Sequence, residues 1–160
     1  AARNSLEWGL VEFLNAEFKR TSYERVLSGS GLAYLYQYLA ASAPETEAVH
    51  EEMEGEDPAA VVTRHALAGT DPLCIKALDV FVTVFGRQAG HLAITVLATG
   101  GVYVAGGIAP RIIAKLKDGT FMEAFLDLGR MTDLAARMPV SVIVNTKVGL
   151  LGAAATAFEG

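Results

Sequence analysis

The sequence predicts an α/β fold that is rich in helix and poor in strand. Apolar residues recur at three- and four-residue spacing along most of the chain, the pattern of helices with one buried face. Only two segments read as strands: Val102–Ala105, between two glycine pairs, and Val140–Val144, between Pro139 and Asn145. Helical sequence separates them, so strand, helices, strand and helix follow in the order of a right-handed crossover. The 160 residues, 52% of them hydrophobic, are enough to bury one core and too few for two.

Leu6, Leu10, Phe13 and Leu14 place a first helix over about 5–18, with Ser5 as its N-cap. A polar break at 19–22 follows, and residues 24–31 read as a loop entering a second helix over about 32–41. Residues 42–57 read as a surface loop with some helical content. Asp57-Pro58 and Asp71-Pro72 each set a capping acid before a proline at the first helical position. They open helices over about 58–68 and 72–98, the second roughly 40 Å long at about 1.5 Å per residue. Gly86 and Gly90 lie one turn apart on that helix and predict the close approach of another element. Further helices are expected from about Pro110 and from about Thr120, the latter with a Thr120…Glu123 capping box, and a last one over about 149–158. Two parallel strands leave uncovered edges, so either further strands lie within the loops or, the favoured reading, the remaining strands belong to a part of the protein that this chain lacks.

Charge and cysteine content narrow the function classes. Thirteen basic against eighteen acidic side chains give a net charge of −5, which argues against nucleic-acid binding. Seven of the acids fall within 45–57, where there is no Lys or Arg, and this reads as a solvated loop rather than a ligand site. Cys74, alone, forms no intrachain disulfide, and no Cys/His cluster offers a zinc site, which fits a reducing, cytoplasmic setting. The N-terminus has no hydrophobic leader and no initiator methionine, which suggests a processed or excised piece. Residues 77–99 have the length of a bilayer span, but Asp79, Arg87, Gln88 and His91 interrupt them. A charge at mid-membrane costs roughly 3 kcal/mol, so a buried helix away from any membrane is expected.

Few motifs carry chemistry. Gly29-Ser30-Gly31 lacks the third glycine of a dinucleotide loop, with Tyr34 in its place, and reads as a plain turn. In the run Val102 to Arg111 a buried strand enters the Gly106-Gly107 pair and then a helix opened by Pro110. Such a turn lets a flat ligand lie on the backbone near free N–H groups, at the strand end where open α/β sheets bind ligands. A tight strand–helix turn with no ligand fits the same residues. His91 shares a helix face with Arg87 and reads as a hydrogen-bonded core histidine, while His50 and His65 have no evident partner. Glu24 precedes an apolar pair and the glycine turn, a setting in which a carboxylate is able to accept two hydrogen bonds from vicinal hydroxyls. Locally, a helix-start acid or an ion pair with Arg25 is the commoner explanation.

Taken in order, Tyr23-Glu-Arg-Val-Leu-Ser-Gly-Ser-Gly-Leu32, Gly100 to Arg111, and Val148-Gly-Leu-Leu-Gly-Ala-Ala154 resemble the bacterial glucokinase family, within the actin and hexokinase superfamily. The resemblance covers essentially the whole chain and only the C-terminal half of the family's enzymes, with Ser30 where the family often has proline. It implies the helix-rich part of a ribonuclease-H-like large lobe, with residues 1–160 as a single partial domain. It also implies transfer of the ATP γ-phosphoryl to the 6-hydroxyl of glucose, with Mg²⁺ as the metal. By the same resemblance Glu24 accepts sugar hydroxyls, and Gly106 and Gly107 form the adenosine-binding turn. The family's Asp-x-Gly-Gly-Thr loop, its Asn-Asp pair with the catalytic base, its second glycine-rich loop and its Glu-Gly-Gly-His sugar motif would all lie upstream of residue 1. No catalytic residue and no metal ligand is therefore expected in this chain, and the Cys-rich zinc motif of related sugar kinases and repressors is not carried. A non-catalytic sugar- or nucleotide-binding module is the reading from another class. Exposed edges should also favour a homodimer or other self-association.

Overall fold

A computed structural model describes residues 2–159. In chain order they form α1 (Ser5–Phe18), α2 (Tyr23–Val26), α3 (Gly29–Ala40), α4 (Glu47–Gly55), α5 (Pro58–Ala68) and α6 (Pro72–Val96). Then follow β1 (Val102–Val104), α7 (Ile113–Leu116), α8 (Thr120–Leu126), a 3-10 turn at Gly129–Met131, α9 (Thr132–Ala135), β2 (Val140–Val142) and α10 (Val148–Glu159). Helix α6 is the spine, with α3 and α5 packed on it and α8 making its most extensive contact. Phe81, Leu78, Phe125, Ile112, Leu35 and Tyr36 are fully buried along this axis. The helix-rich α/β class expected from the sequence is the one observed.

The two Asp-Pro starts form as the residue types dictate. Asp57 accepts a hydrogen bond from the Ala59 amide at 3.2 Å, and Asp71 accepts one from the Cys74 amide at 2.7 Å. The other Asp71 oxygen takes the Thr46 hydroxyl at 2.6 Å, which ties the start of α6 to the residue preceding α4. Gly86 and Gly90 are the close approach their spacing predicts. A Cβ at Gly86 would stand 2.2 Å from the Phe121 carbonyl oxygen, and one at Gly90 would stand 2.3 Å from that of Phe125. Both carbonyls belong to α8.

Several expected details differ. The N-cap of α1 is Asn4, whose side-chain oxygen accepts the Glu7 amide at 2.8 Å, because Ser5 already lies inside the helix. Residues 24–31 are not a loop, since α2 and the first turn of α3 occupy them. The acidic stretch folds as α4, anchored by buried Val49 and by Arg64, which donates to Glu52 and Glu56 at 2.6 and 2.8 Å. Thr120 does not cap α8. The cap is Gly119, at φ +108°, and Asp118 accepts the Thr120 amide at 2.9 Å.

Strands β1 and β2 pair in parallel, with Val102 opposite Val140 and Val104 opposite Val142. The sheet is covered on one face only: Val104 is buried, whereas Tyr103 is 68% exposed. Parallel strands normally have both faces covered, so the expectation of a fully buried β1 fails for want of a second layer. Helix α10 forms from its small residues but stays exposed along its described length, with Phe158 at 92%. No described helix is long and apolar enough to cross a membrane.

The glycine contact gives a direct test. Gly90→Ala forces a backbone oxygen out of van der Waals space and should lower stability by about 1–3 kcal/mol in urea denaturation. Gly55→Ala, whose new Cβ meets nothing within 4 Å, should leave it unchanged or raise it.

Candidate functional site

The Glu24 segment is built from two abutting helix starts. α2 is a single turn, closed by the Leu27 amide on the Tyr23 carbonyl at 2.6 Å. Ser28 begins α3 by accepting the Gly31 amide on its hydroxyl oxygen at 3.0 Å. Gly31 serves the packing of the two helices, since a Cβ there would stand 2.3 Å from the Val26 carbonyl oxygen. The Gly-Ser-Gly run is thus a helix start, neither a phosphate loop nor a free turn. Glu24 stands exposed in the first turn of α2. Arg25 is not its partner, because its guanidinium lies over the Phe18 ring, 4.1 Å from the centroid. Among the described residues the Glu24 carboxylate makes no hydrogen bond or ion pair, so both its oxygens are available.

The second candidate is the turn after β1. Gly106 adopts φ +107°, a conformation that L residues rarely reach, and a Cβ on either Gly106 or Gly107 would project into open space. No helix opens at Pro110. The Arg111 and Ile112 amides both return to the Ile108 carbonyl, at 3.0 and 3.2 Å, and regular helix begins only at Ile113. The turn fronts a hollow of about 230 Å³ whose other walls are Leu27, Phe81, Phe85 and Ile108. Leu27 immediately follows α2, so the glycine turn and the Glu24 helix border one hollow, although Glu24 itself does not line it. No ionisable side chain lines it either. An adjoining hollow shares Phe81 and Ile108 and adds Ser28, Gly29 and Arg111.

A further hollow, lined by Tyr23 and Val26 of α2, holds a feature that the sequence does not announce. Glu7 and Arg87, both buried, form a two-pronged ion pair with N–O distances of 2.8 and 3.0 Å. Glu7 also accepts the Arg3 amide at 2.8 Å and the Asn4 side-chain amide at 3.3 Å. Burial alone would raise the Glu7 carboxyl, but the Arg87 fork, the Arg3 amide and the two guanidinium charges together hold it below the usual carboxylate range. Glu7 and Arg87 line a hollow of about 220 Å³ together with Ala2, Tyr23 and Val26. The sequence signal for this acid is Asn4-x-x-Glu7, a capping-box spacing.

The remaining candidates recede. His91 is only partly buried and its ring makes no hydrogen bond among the described residues, while burial and the charges of Arg3 and Arg87 push its pKa down. It is not the bonded core histidine expected. His65 bridges Glu52 and Thr70, and His50 meets Glu45. Burial, with Asp71 beside it, pushes the Cys74 thiol up, so it stays protonated and unreactive. No group of three or more His, Cys, Asp or Glu placed to hold a metal ion occurs among the described residues.

A family model described as Glucokinase matches residues 1–159. This chain belongs to the glucokinase family. It is 44% identical over 174 residues to a glucokinase of Synechocystis sp. (strain ATCC 27184 / PCC 6803 / Kazusa), an alignment covering 99% of this chain and 49% of that relative. To a glucokinase of Nostoc sp. (strain PCC 7120 / SAG 25.82 / UTEX 2576) it is 40% identical, over 96% of this chain and 49% of the relative. The fold matches the crystal structure of a glucokinase from an Antarctic psychrotroph with a TM-score of 0.79 and 31% identity, covering 100% of this chain and 48% of that one. The chain spans about half the length of the curated relatives it matches.

The buried ion pair sets a pH dependence. A carboxyl held below its unfolded value stabilises the fold above that value and loses the contribution as pH falls through the folded one. Glu7 should therefore contribute fully at neutral pH and progressively less below about 4.5, its ordinary value. Denaturation midpoints followed from pH 7 to pH 3 should fall more steeply for the parent chain than for Glu7→Gln.

Proposed function

We propose that this chain is the C-terminal part of the large lobe of a cytoplasmic, ATP-dependent glucokinase that transfers the ATP γ-phosphoryl to the 6-hydroxyl of glucose. The observation that carries the reading is the shared hollow: Leu27, directly after the Glu24 helix, faces the Gly106–Gly107 turn across it. In this reading the sugar lies on the α2 side and the nucleotide on the β1 side.

The residues fit those roles chemically. Glu24, unpaired and acceptor-only when ionised, can take two hydroxyl hydrogens from one sugar. An acceptor committed in this way discriminates strongly against analogues that lack a hydroxyl, because the carboxylate would then be desolvated without a donor. Gly106 leaves open the space that a Cβ would fill, which suits the flat face of an adenosine. Ala2 lines a hollow with Tyr23, so the Glu-Gly-Gly-His motif that the resemblance sets just before residue 1 would enter beside Glu24. Phosphoryl transfer then rests on positioning and charge neutralisation. Magnesium would neutralise phosphate charge, with the nucleotide phosphates among its ligands and, as the resemblance implies, its protein ligands in the upstream part. The open sheet face and the exposed Leu150, Leu151 and Phe158 of α10 are, on this reading, surfaces that the rest of the polypeptide or a second copy covers.

Two experiments test the proposal. In the full-length protein, Glu24→Gln should raise KM for glucose roughly 10- to 100-fold, the loss expected for hydrogen bonds to a charged acceptor, and also lower kcat. Unchanged kinetics would remove Glu24 from the sugar site. Residues 1–160 alone should give no glucose-dependent ADP formation in a preparation free of host kinase. Calorimetric binding of ATP or glucose by that fragment would instead favour a self-sufficient binding module.

A further inference from the structure

Helix α2 cannot hold itself in place. It is four residues long and Ser22 gives it no side-chain cap, so its orientation is set by what packs beneath it. Val26 is buried, and Gly31 of α3 lies against its carbonyl. Val26 also lines, with Thr21, Ser22 and Tyr23, the hollow that Glu7 and Arg87 share. Glu7 also organises the chain that leads in, through the Arg3 amide and Asn4, while the Arg3 guanidinium donates to the Asp127 carbonyl at 3.0 Å.

Stability alone does not account for a pair so buried. Well-packed apolar residues of similar volume usually hold a fold as well as a buried ion pair or better, because two desolvated charges only partly recover their hydration. What the charged pair adds is geometry, since a guanidinium fork and a carboxylate meet in one plane and at one distance. We propose that Glu7 and Arg87 are positioning residues for the sugar side of the site: their pair fixes residues 2–7 against α6 and, across the hollow, the helix that presents Glu24. The inference rests on the reading of Glu24 given above.

The test uses the full-length enzyme and three proteins: the parent, Glu7→Gln, and the apolar pair Glu7→Leu with Arg87→Met. In both variants KM for glucose should rise about tenfold or more, as misplacement of a binding group does, while KM for ATP moves less than about twofold. The apolar pair should keep its thermal midpoint close to that of the parent, so its kinetic defect is not one of folding. Parental KM for glucose in the apolar pair would overturn the inference and leave Glu7 and Arg87 a structural pair only. Equal rises in both KM values would overturn it as well. Failure of the underlying reading looks different: the parent itself would show no glucose-dependent ADP formation, or Glu24→Gln would leave KM for glucose unchanged.

Discussion

Two glycines on one face of α6 let α8 settle directly on that helix, and the rest of the structure is arranged around the contact. With carbonyl oxygens of α8 only 2.2 and 2.3 Å from where the Cβ atoms of Gly86 and Gly90 would stand, the helices approach more closely than any side chain would allow. That approach brings Phe121 edge-on to Phe85, with ring centroids 5.5 Å apart, while Phe121 and Phe125, one turn apart on α8, stack at 6.3 Å. Phe85 in turn meets Phe81 at 6.1 Å. Phe81 and Phe85 form the wall of the hollow in front of Gly106 and Gly107. A packing constraint in the helical layer is thereby passed to the surface where the candidate site lies.

Much of this was legible because the determinants are local. Asp57-Pro58 and Asp71-Pro72 announce their helices through chemistry confined to three or four residues, and the α5 and α6 starts fall where those pairs place them. The Gly86/Gly90 spacing likewise announces contact, although it does not name α8 as the partner. The misses lie where a longer-range contact decides. Gly29-Ser30-Gly31 resembles a turn in isolation, and only the proximity of the Val26 carbonyl makes Gly31 a packing residue. Pro110 differs for a local reason: the Arg111 and Ile112 amides fold back onto Ile108 first, and regular helix begins at Ile113. The acidic stretch contains no Lys or Arg of its own, so its stability as α4 draws on Arg64 and His65, which lie beyond the segment.

The candidate site shows the same division. The motif around Glu24 and the glycine turn were visible as sequence, but it is the resemblance, not residue type or spacing, that links them to a sugar and a nucleotide. Their meeting through Leu27 was not, since it depends on Phe81 and Phe85 of α6 lining the same hollow. Nor was Arg87 visible as a partner of Glu7, eighty positions away. A pairing of that separation leaves no periodic trace in a single sequence, and only the Asn4-x-x-Glu7 spacing hinted that Glu7 had more than one task.

Buried and exposed polar groups are used for different purposes here. The buried acids, Glu7 and Asp71, spend their oxygens on helix starts and on joining distant segments, and each is held below the usual carboxylate range by donors that outweigh the cost of burial. The groups that the resemblance links to ligands, Glu24 and the Gly106–Gly107 turn, are exposed and uncommitted within the described chain. A complete active site would have desolvated an acceptor of this kind to make its hydrogen bonds selective. An acceptor left in solvent, beside a half-covered sheet and in a chain about half the length of its relatives, has the form of one wall of a cleft.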